Sequence, residues 1–239
     1  MLNMQELMAY LTKHHGIAVR PEQVQALRNL GYYHGFKGYR FVRQPSQRIV
    51  FSSLDEVIAL NAFDMNLKAL LYPKVMFIEN ALKSYVIEAV LMDSGSEYLD
   101  DIFNRSMTHY RSYTPGSESY QKQYAKRMTL KGKINSALLR DYSNQKQTVN
   151  HFFNGDKPIP IWAIFESLTL GEFGTFFSCA NQNVKRYTST LLQLPTNLDA
   201  DGKLTEFIIY CIKDLRNAVA HNNTIFDTRF QTGKINRRL

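Results

Sequence analysis

The chain has 239 residues, with 29 Lys and Arg against 21 Asp and Glu, a formal net charge of +8; 44% of residues are apolar and 21% charged. That is the composition of an ordinary globular protein long enough to bury a core, and it excludes disordered, collagen-like and coiled-coil chains. Twelve Gly and seven Pro argue against a loop-rich β-protein. Two cysteines, Cys179 and Cys211, cannot make a disulfide framework and point to a reducing compartment. No apolar run is long enough to span a bilayer, and MLNMQELMAY lacks the basic-then-apolar order of a signal peptide. A cytoplasmic protein without a membrane partner is expected.

Read in order, the pattern is helical almost throughout. Leu2, Leu7, Met8 and Leu11 recur at helical spacing over residues 1–14. Pro21 suits the first turn of a second helix, with Val24, Leu27 and Leu30 on one face and Gly31 as its stop. Tyr32, Tyr33, Phe36, Tyr39 and Phe41, with Gly35 and Gly38 between them, read as a packed aromatic turn, and residues 48–52 (RIVFS) as a short strand. Ser53 and Glu56 form a capping box that opens the longest apolar stripe, from Leu54 to Val90. Pro73 should kink or divide it. Within it, Glu79 reads either as an i,i+4 partner of Lys83 or as a support for Arg216.

Residues 105–150 hold nine basic and two acidic residues, a local excess of the kind a phosphate backbone attracts. The middle of this segment, residues 118–142, is predicted to be helical. Lys122, Lys126, Arg127, Lys131, Lys133 and Arg140 are its candidate RNA-binding residues. The alternative is a solvated face whose tyrosines pack inward. Beyond the Asn154–Pro158 loop, residues 162–170 read as a core helix with Trp162 inside, stopped by Gly171. Helices follow over 182–194 and 204–222, with a turn at 195–202 and a loosely ordered basic tail at 224–239. His14 and His15 read as surface residues, and both cysteines as buried apolar ones. No metal-ligand spacing, P-loop, dinucleotide-binding turn or G-x-S-x-G occurs, so neither a metal nor a cofactor is expected.

One constellation carries chemistry. In the last helix stands Asp214-Leu215-Arg216-Asn217-Ala218-Val219-Ala220-His221. Asn217 and His221 are four apart and share a face; Arg216 projects about 100° to one side of Asn217, with a stem long enough to approach the imidazole. Imidazole, guanidinium and amide together suit RNA cleavage without a metal. The ribose 2′-hydroxyl attacks the adjacent phosphate, His221 moves the proton, Arg216 steadies the charge of the phosphorane, and Asn217 orients the imidazole. The alternative is structural: a histidine favoured by the helix C-terminus and an arginine paired with a carboxylate.

The sequence RNAVAHNN resembles the R-x4-6-H motif of the HEPN superfamily of helical RNases and toxins. The whole chain resembles the Abi-like family of bacterial abortive-infection proteins. Residues 30–39 (LGYYHGFKGY) are similar to that family's aromatic turn, residues 60–68 (LNAFDMNLK) to its F-D-x-x-L-R helix and residues 78–84 (IENALKS) to its I-E-x-x-L-K-S continuation. Residues 158–171 (PIPIWAIFESLTLG) are similar to its W-x-x-x-E-x-L-T-F-G block, and the final RNAVAHNN to its R-N-x-x-A-H signature. Gly31 and Asn61 depart from the usual Asn and Tyr, and Asn222-Asn223 replaces a second histidine, but Arg216 and His221 are kept.

The resemblance implies an all-α fold, an HEPN-like bundle with added N-terminal and peripheral helices, within a single domain over 1–239. Residues 1–52 would be N-terminal helices and the aromatic turn, 53–223 the bundle with its basic insertion at 105–150, and 224–239 a tail. It implies a toxin-like endoribonuclease of phage defence, metal-independent and completed by a homodimer, since the chain has one R…H motif and such sites are commonly paired. An RNA or protein antitoxin or regulator is a further implied partner. The competing class is a non-catalytic RNA-binding or protein-interaction module of a defence or toxin-antitoxin system. A duplex-DNA regulator is disfavoured by the lack of a helix-turn-helix with a basic recognition helix.

Overall fold

The computed structural model describes residues 2–40, 48–195 and 197–226. Phe41 of the aromatic turn and most of the basic tail lie outside the described residues. The described chain is all-α, and its β-type pairing is limited to two isolated bridges, Ala18–Ser53 and Tyr98–Pro160. It divides into two compact units, one built from Met1–Met76 with the segment from Asp214, the other from Phe77–Lys213. Among the described residues no helix is long and apolar enough to cross a membrane.

In the first unit, α1 (Met4–His15) opens on a reciprocal cap: Asn3 Oδ1 accepts from the Glu6 N–H at 2.9 Å, and the Glu6 carboxylate accepts from the Asn3 N–H at 2.8 Å. A 3-10 turn, Pro21–Gln23, leads into α2 (Val24–Leu30), which ends where Gly31 takes a φ of +71°. The aromatic turn is not irregular. Gly31–Lys37 is a π-helix, followed by the short α3 (Gly38–Arg40). Gly35 permits the wide coil, because a Cβ there would sit 2.8 Å from the Leu30 carbonyl oxygen. His15, expected on the surface, packs against Phe36 with ring centroids 5.1 Å apart. Its Nδ1 accepts from the Arg40 guanidinium, so its Nε2–H donates to the Tyr32 hydroxyl at 3.2 Å. Burial and the Arg40 charge both hold its pKa below the ordinary value and favour this neutral form.

Residues 48–52 do not form a strand; the single Ala18–Ser53 bridge offers no ladder to extend. Then α4 (Leu54–Ser94) runs through Pro73 as one 41-residue helix. Glu56 reaches back over the start of the helix: its carboxylate accepts from the Ser52 hydroxyl at 2.7 Å and N–H at 2.8 Å and, more weakly, faces the Ser53 N–H, which together lower its pKa. The core of this unit gathers Leu11, Ile17, Leu27, Phe36, Phe51, Leu54 and Val57.

The second unit continues α4 from Phe77 and adds α5 (Leu99–Arg105), a 3-10 turn at His109–Ser112, α6 (Glu118–Ser143) and α7 (Gln147–Phe153). After these come α8 (Ile161–Ser167), α9 (Leu170–Cys179), α10 (Gln182–Leu191) and the first part of α11 (Lys203–Ala220). Helices α5, α7 and α9 are not among the elements expected from the sequence. Gly171 does not stop a helix: Thr169 and Glu172 form the cap that starts α9 there. A Cβ on Gly174 would lie 3.0 Å from the Tyr210 ring, so this glycine lets α9 approach α11 closely. Phe165, Phe173 and Phe176 meet edge to face in the core, at 5.4 and 4.9 Å between centroids. Trp162, expected in that core, is 46% exposed and set edge-on against Phe152, because α8 turns its Ile161, Ile164 and Phe165 face inward instead. Glu79 pairs with Lys83 at 3.1 Å. Cys179 is buried, and Cys211 is half-buried.

Candidate functional site

In the first unit, α11 carries the motif to its end. Ala218 faces inward, Arg216 and Asn217 are half-buried, and His221 is exposed one residue past the last helical position. The helix was expected to continue to residue 222. It stops because Asn222 adopts a left-handed conformation, φ +55°. The Asn223 N–H then donates to the Ala218 carbonyl at 2.9 Å and the Asn222 N–H to the Val219 carbonyl at 3.4 Å, the paired bonds of a Schellman end. Asparagine tolerates this geometry better than any residue except glycine. The His221 N–H still bonds to the Asn217 carbonyl at 3.0 Å, so the imidazole hangs from the C-cap itself.

What fixes this end is a buried cluster whose members lie in the F-D-x-x-L-R and aromatic-turn blocks of the sequence, where the motifs themselves give them no role. Asp64 of α4 is fully buried. Its Oδ1 accepts from the Ile225 N–H at 2.8 Å and the Phe226 N–H at 3.2 Å, holding the strand of chain that leaves the motif. Its Oδ2 pairs with Lys68 Nζ at 2.6 Å, one helical turn on. Lys68 in turn donates to Asn222 Oδ1 at 2.8 Å. The Tyr39 hydroxyl lies 3.1 Å from Asn61 Oδ1 and 3.3 Å from Asp64 Oδ2, and its ring stacks on Phe226 at 5.9 Å. Burial, and then the Asp64 charge, push the Tyr39 phenol far above its ordinary pKa, so it stays a donor. The signal was present in Phe63-Asp64-Met65-Asn66-Leu67-Lys68: an acid and a base one turn apart inside an otherwise apolar stripe.

In the second unit, the basic residues of α6 fall on both flanks of its buried face, which carries Leu130, Ile134, Ala137 and Leu138. At 100° per residue, Lys122, Lys126, Lys133 and Arg140 lie within about 40° of one another along roughly 27 Å. Lys122 and Lys133 are exposed, and Lys126 is half-buried. Arg140 Nε donates to Asp141 at 3.0 Å and its Nη2 to the Ser167 carbonyl at 2.8 Å. The opposite flank is engaged in structure. Arg127 donates to the Met107 and Phe103 carbonyls at 3.0 and 2.8 Å and lies over the Phe103, Tyr110 and Tyr124 rings. Lys131 pairs with Asp100 at 2.7 Å. Nearby, burial followed by the charges of Lys185 and Lys126 holds His109 down at about 4, a neutral imidazole at physiological pH.

The last described helix thus carries Arg216 and Asn217, with His221 solvent-facing just past its end and the chain beyond it anchored by a buried acid–base pair. Residues 25–227 match the family model described as Abi-like protein, and the chain belongs to that family, which is associated with abortive infection, a form of phage defence. No curated protein and no solved structure matches the chain.

Proposed function

We propose that this Abi-like protein is a metal-independent endoribonuclease of phage defence, working by the chemistry of the HEPN superfamily. The 2′-oxygen attacks the adjacent phosphorus and the bond to the 5′-oxygen breaks, giving a 2′,3′-cyclic phosphate and a 5′-hydroxyl. One proton leaves the 2′-hydroxyl and one reaches the 5′-oxygen; His221 is the group that exchanges them. Arg216 offers two parallel donors to the equatorial oxygens of the phosphorane, and Asn217 orients the imidazole. A homodimer supplies a second R…H pair, so that one His221 accepts a proton while the other donates. Lys122, Lys126 and Lys133, with Arg140, would carry the RNA backbone; Arg127 and Lys131 add positive field from within their own contacts. An RNA or protein antitoxin would act by covering the same groups.

The observation that carries this reading is the exposure of His221 on an anchored helix end, where a scissile phosphate can reach it. The test is incubation of wild type and His221→Ala with mixed RNA in EDTA, with the ends of the products analysed. Wild type should yield 2′,3′-cyclic phosphates, and the variant should be slower by about 10²–10⁴-fold at unchanged stability. RNA that is bound but never cut would instead favour the non-catalytic binding module. A folded His221→Ala protein as active as wild type would reject the proposed role of this residue.

A further inference from the structure

The first unit contains a cleft of about 380 Å³ beside the end of the motif. Asn29 and His34 line it from α2 and the π-helix, Asn61 and Met65 from α4, and Asn222 and Thr224 from the segment after His221. Among the described lining residues none is Asp, Glu, Lys or Arg, in a chain with a net charge of +8. A cleft built this way does not suit a phosphate or a cation. It suits a neutral, flat, hydrogen-bonding group with apolar faces.

The amides give a direction to those hydrogen bonds. Asn29 Oδ1 accepts from Gln25 Nε2 at 3.0 Å, Asn61 Oδ1 lies 3.1 Å from the Tyr39 hydroxyl, and Asn222 Oδ1 accepts from Lys68 Nζ at 2.8 Å. At Asn29 and Asn222 the carbonyl end meets a donor of the protein, which turns the amino end into the partner for a ligand; Asn61 does not join them, because the single Tyr39 proton also faces Asp64 Oδ2 at 3.3 Å. Two amino ends ask for a ligand rich in acceptors. Uracil, with two carbonyls, and guanine, with O6 and N7, meet that demand; adenine and cytosine each place an exocyclic amino donor on the same edge. We propose that this cleft binds one unpaired RNA base bearing carbonyl acceptors, uracil or guanine, and so sets the base preference beside Arg216 and His221. The proposal rests on RNA being the ligand of the motif, as proposed above, and does not require that the RNA be cut.

The test uses the full chain carrying His221→Ala, so that no probe is consumed, and fluorescein-labelled ten-residue oligonucleotides read by anisotropy. Oligouridylate and oligoinosinate present the keto edge of a pyrimidine and a purine; oligoadenylate and oligocytidylate present the amino edge. Keto oligomers should bind about tenfold more tightly. Asn222→Asp keeps the acceptor for Lys68 and tolerates the left-handed backbone but removes the amino donor; it should lower all affinities while reducing the keto preference below about threefold. Met65→Trp fills the cleft and should do the same to the preference without adding charge. Equal binding of all four oligomers, no binding of any, or a preference that survives both substitutions would overturn the proposal. A keto preference without cleavage by wild type leaves the cleft assigned and removes only the nuclease; cleavage without any preference does the reverse.

Discussion

Removing the Asp64 carboxylate should release the chain that follows His221. Asp64 is fully buried and meets Lys68, itself nearly buried, at 2.6 Å, while its other oxygen takes the Ile225 and Phe226 N–H groups. Deleting one partner of a buried ion pair costs about 3–5 kcal/mol, because the other charge is left uncompensated. Two backbone donors lose their acceptor as well, each worth about 1–3 kcal/mol when water cannot replace it. The terms overlap, so Asp64→Ala is expected to cost at least about 3 kcal/mol, a large share of a domain stability of roughly 5–15 kcal/mol. Lys68→Met in the Asp64→Ala background removes the stranded ammonium, so the double variant should be more stable than Asp64→Ala alone. Urea unfolding gives the stabilities, and native-state hydrogen exchange reads the clamp directly: the amides of Ile225 and Phe226 should exchange about 10²-fold faster in Asp64→Ala, by the tenfold per 1.4 kcal/mol relation. An Asp64→Ala protein within about 1 kcal/mol of wild type, with those two amides still protected, would refute the reasoning.

Two further outcomes follow from the second unit. His109 titrates near 4 when folded and near 6.5 when unfolded, so the unfolded chain binds the extra proton between those values. Stability should be level above about pH 6.5 and decline as pH falls toward 4, by on the order of 1–2 kcal/mol after screening; urea midpoints for wild type and His109→Gln should diverge over that window, and parallel curves would contradict it. On α6, Lys122→Ala with Lys133→Ala should flatten the dependence of log affinity for single-stranded RNA on log salt by about 1.4, whereas Arg127→Ala should change that slope by less than about 0.4 and lower stability by about 1–3 kcal/mol. The reverse pattern would mean that the roles of the two flanks are exchanged.

The helical class was legible because apolar residues recur at helical spacing and because Gly31 and Pro21 sit where their backbone preferences place them. Arg216, Asn217 and His221 stand out in the sequence because they fall within six residues at the end of one predicted helix, although the helix itself stops at Ala220. The anchoring of that helix does not stand out. Asp64 and the amides of Ile225 and Phe226 are about 160 residues apart in sequence, and no local pattern predicts that one will accept from the other. The π-helix escaped because its cause, room at Gly35 against the Leu30 carbonyl, is a spatial one. Trp162 was misplaced because one turn of apolar residues does not say which of them faces out. The basic excess of α6 is visible in the composition, but which of its cations are held in contacts depends on the carbonyls of Phe103, Met107 and Ser167, which composition does not disclose.

The left-handed residue after His221 makes the imidazole's address a matter of chirality, not of counting. Lengthening or trimming α11 at its far end would leave the reversal at Asn222, and the Lys68 tether to it, where they are. A glycine at 222 would preserve the reversal but cut the tether, and a β-branched residue would resist the reversal itself. A single small amide therefore decides both where the last helix stops and what it is moored to.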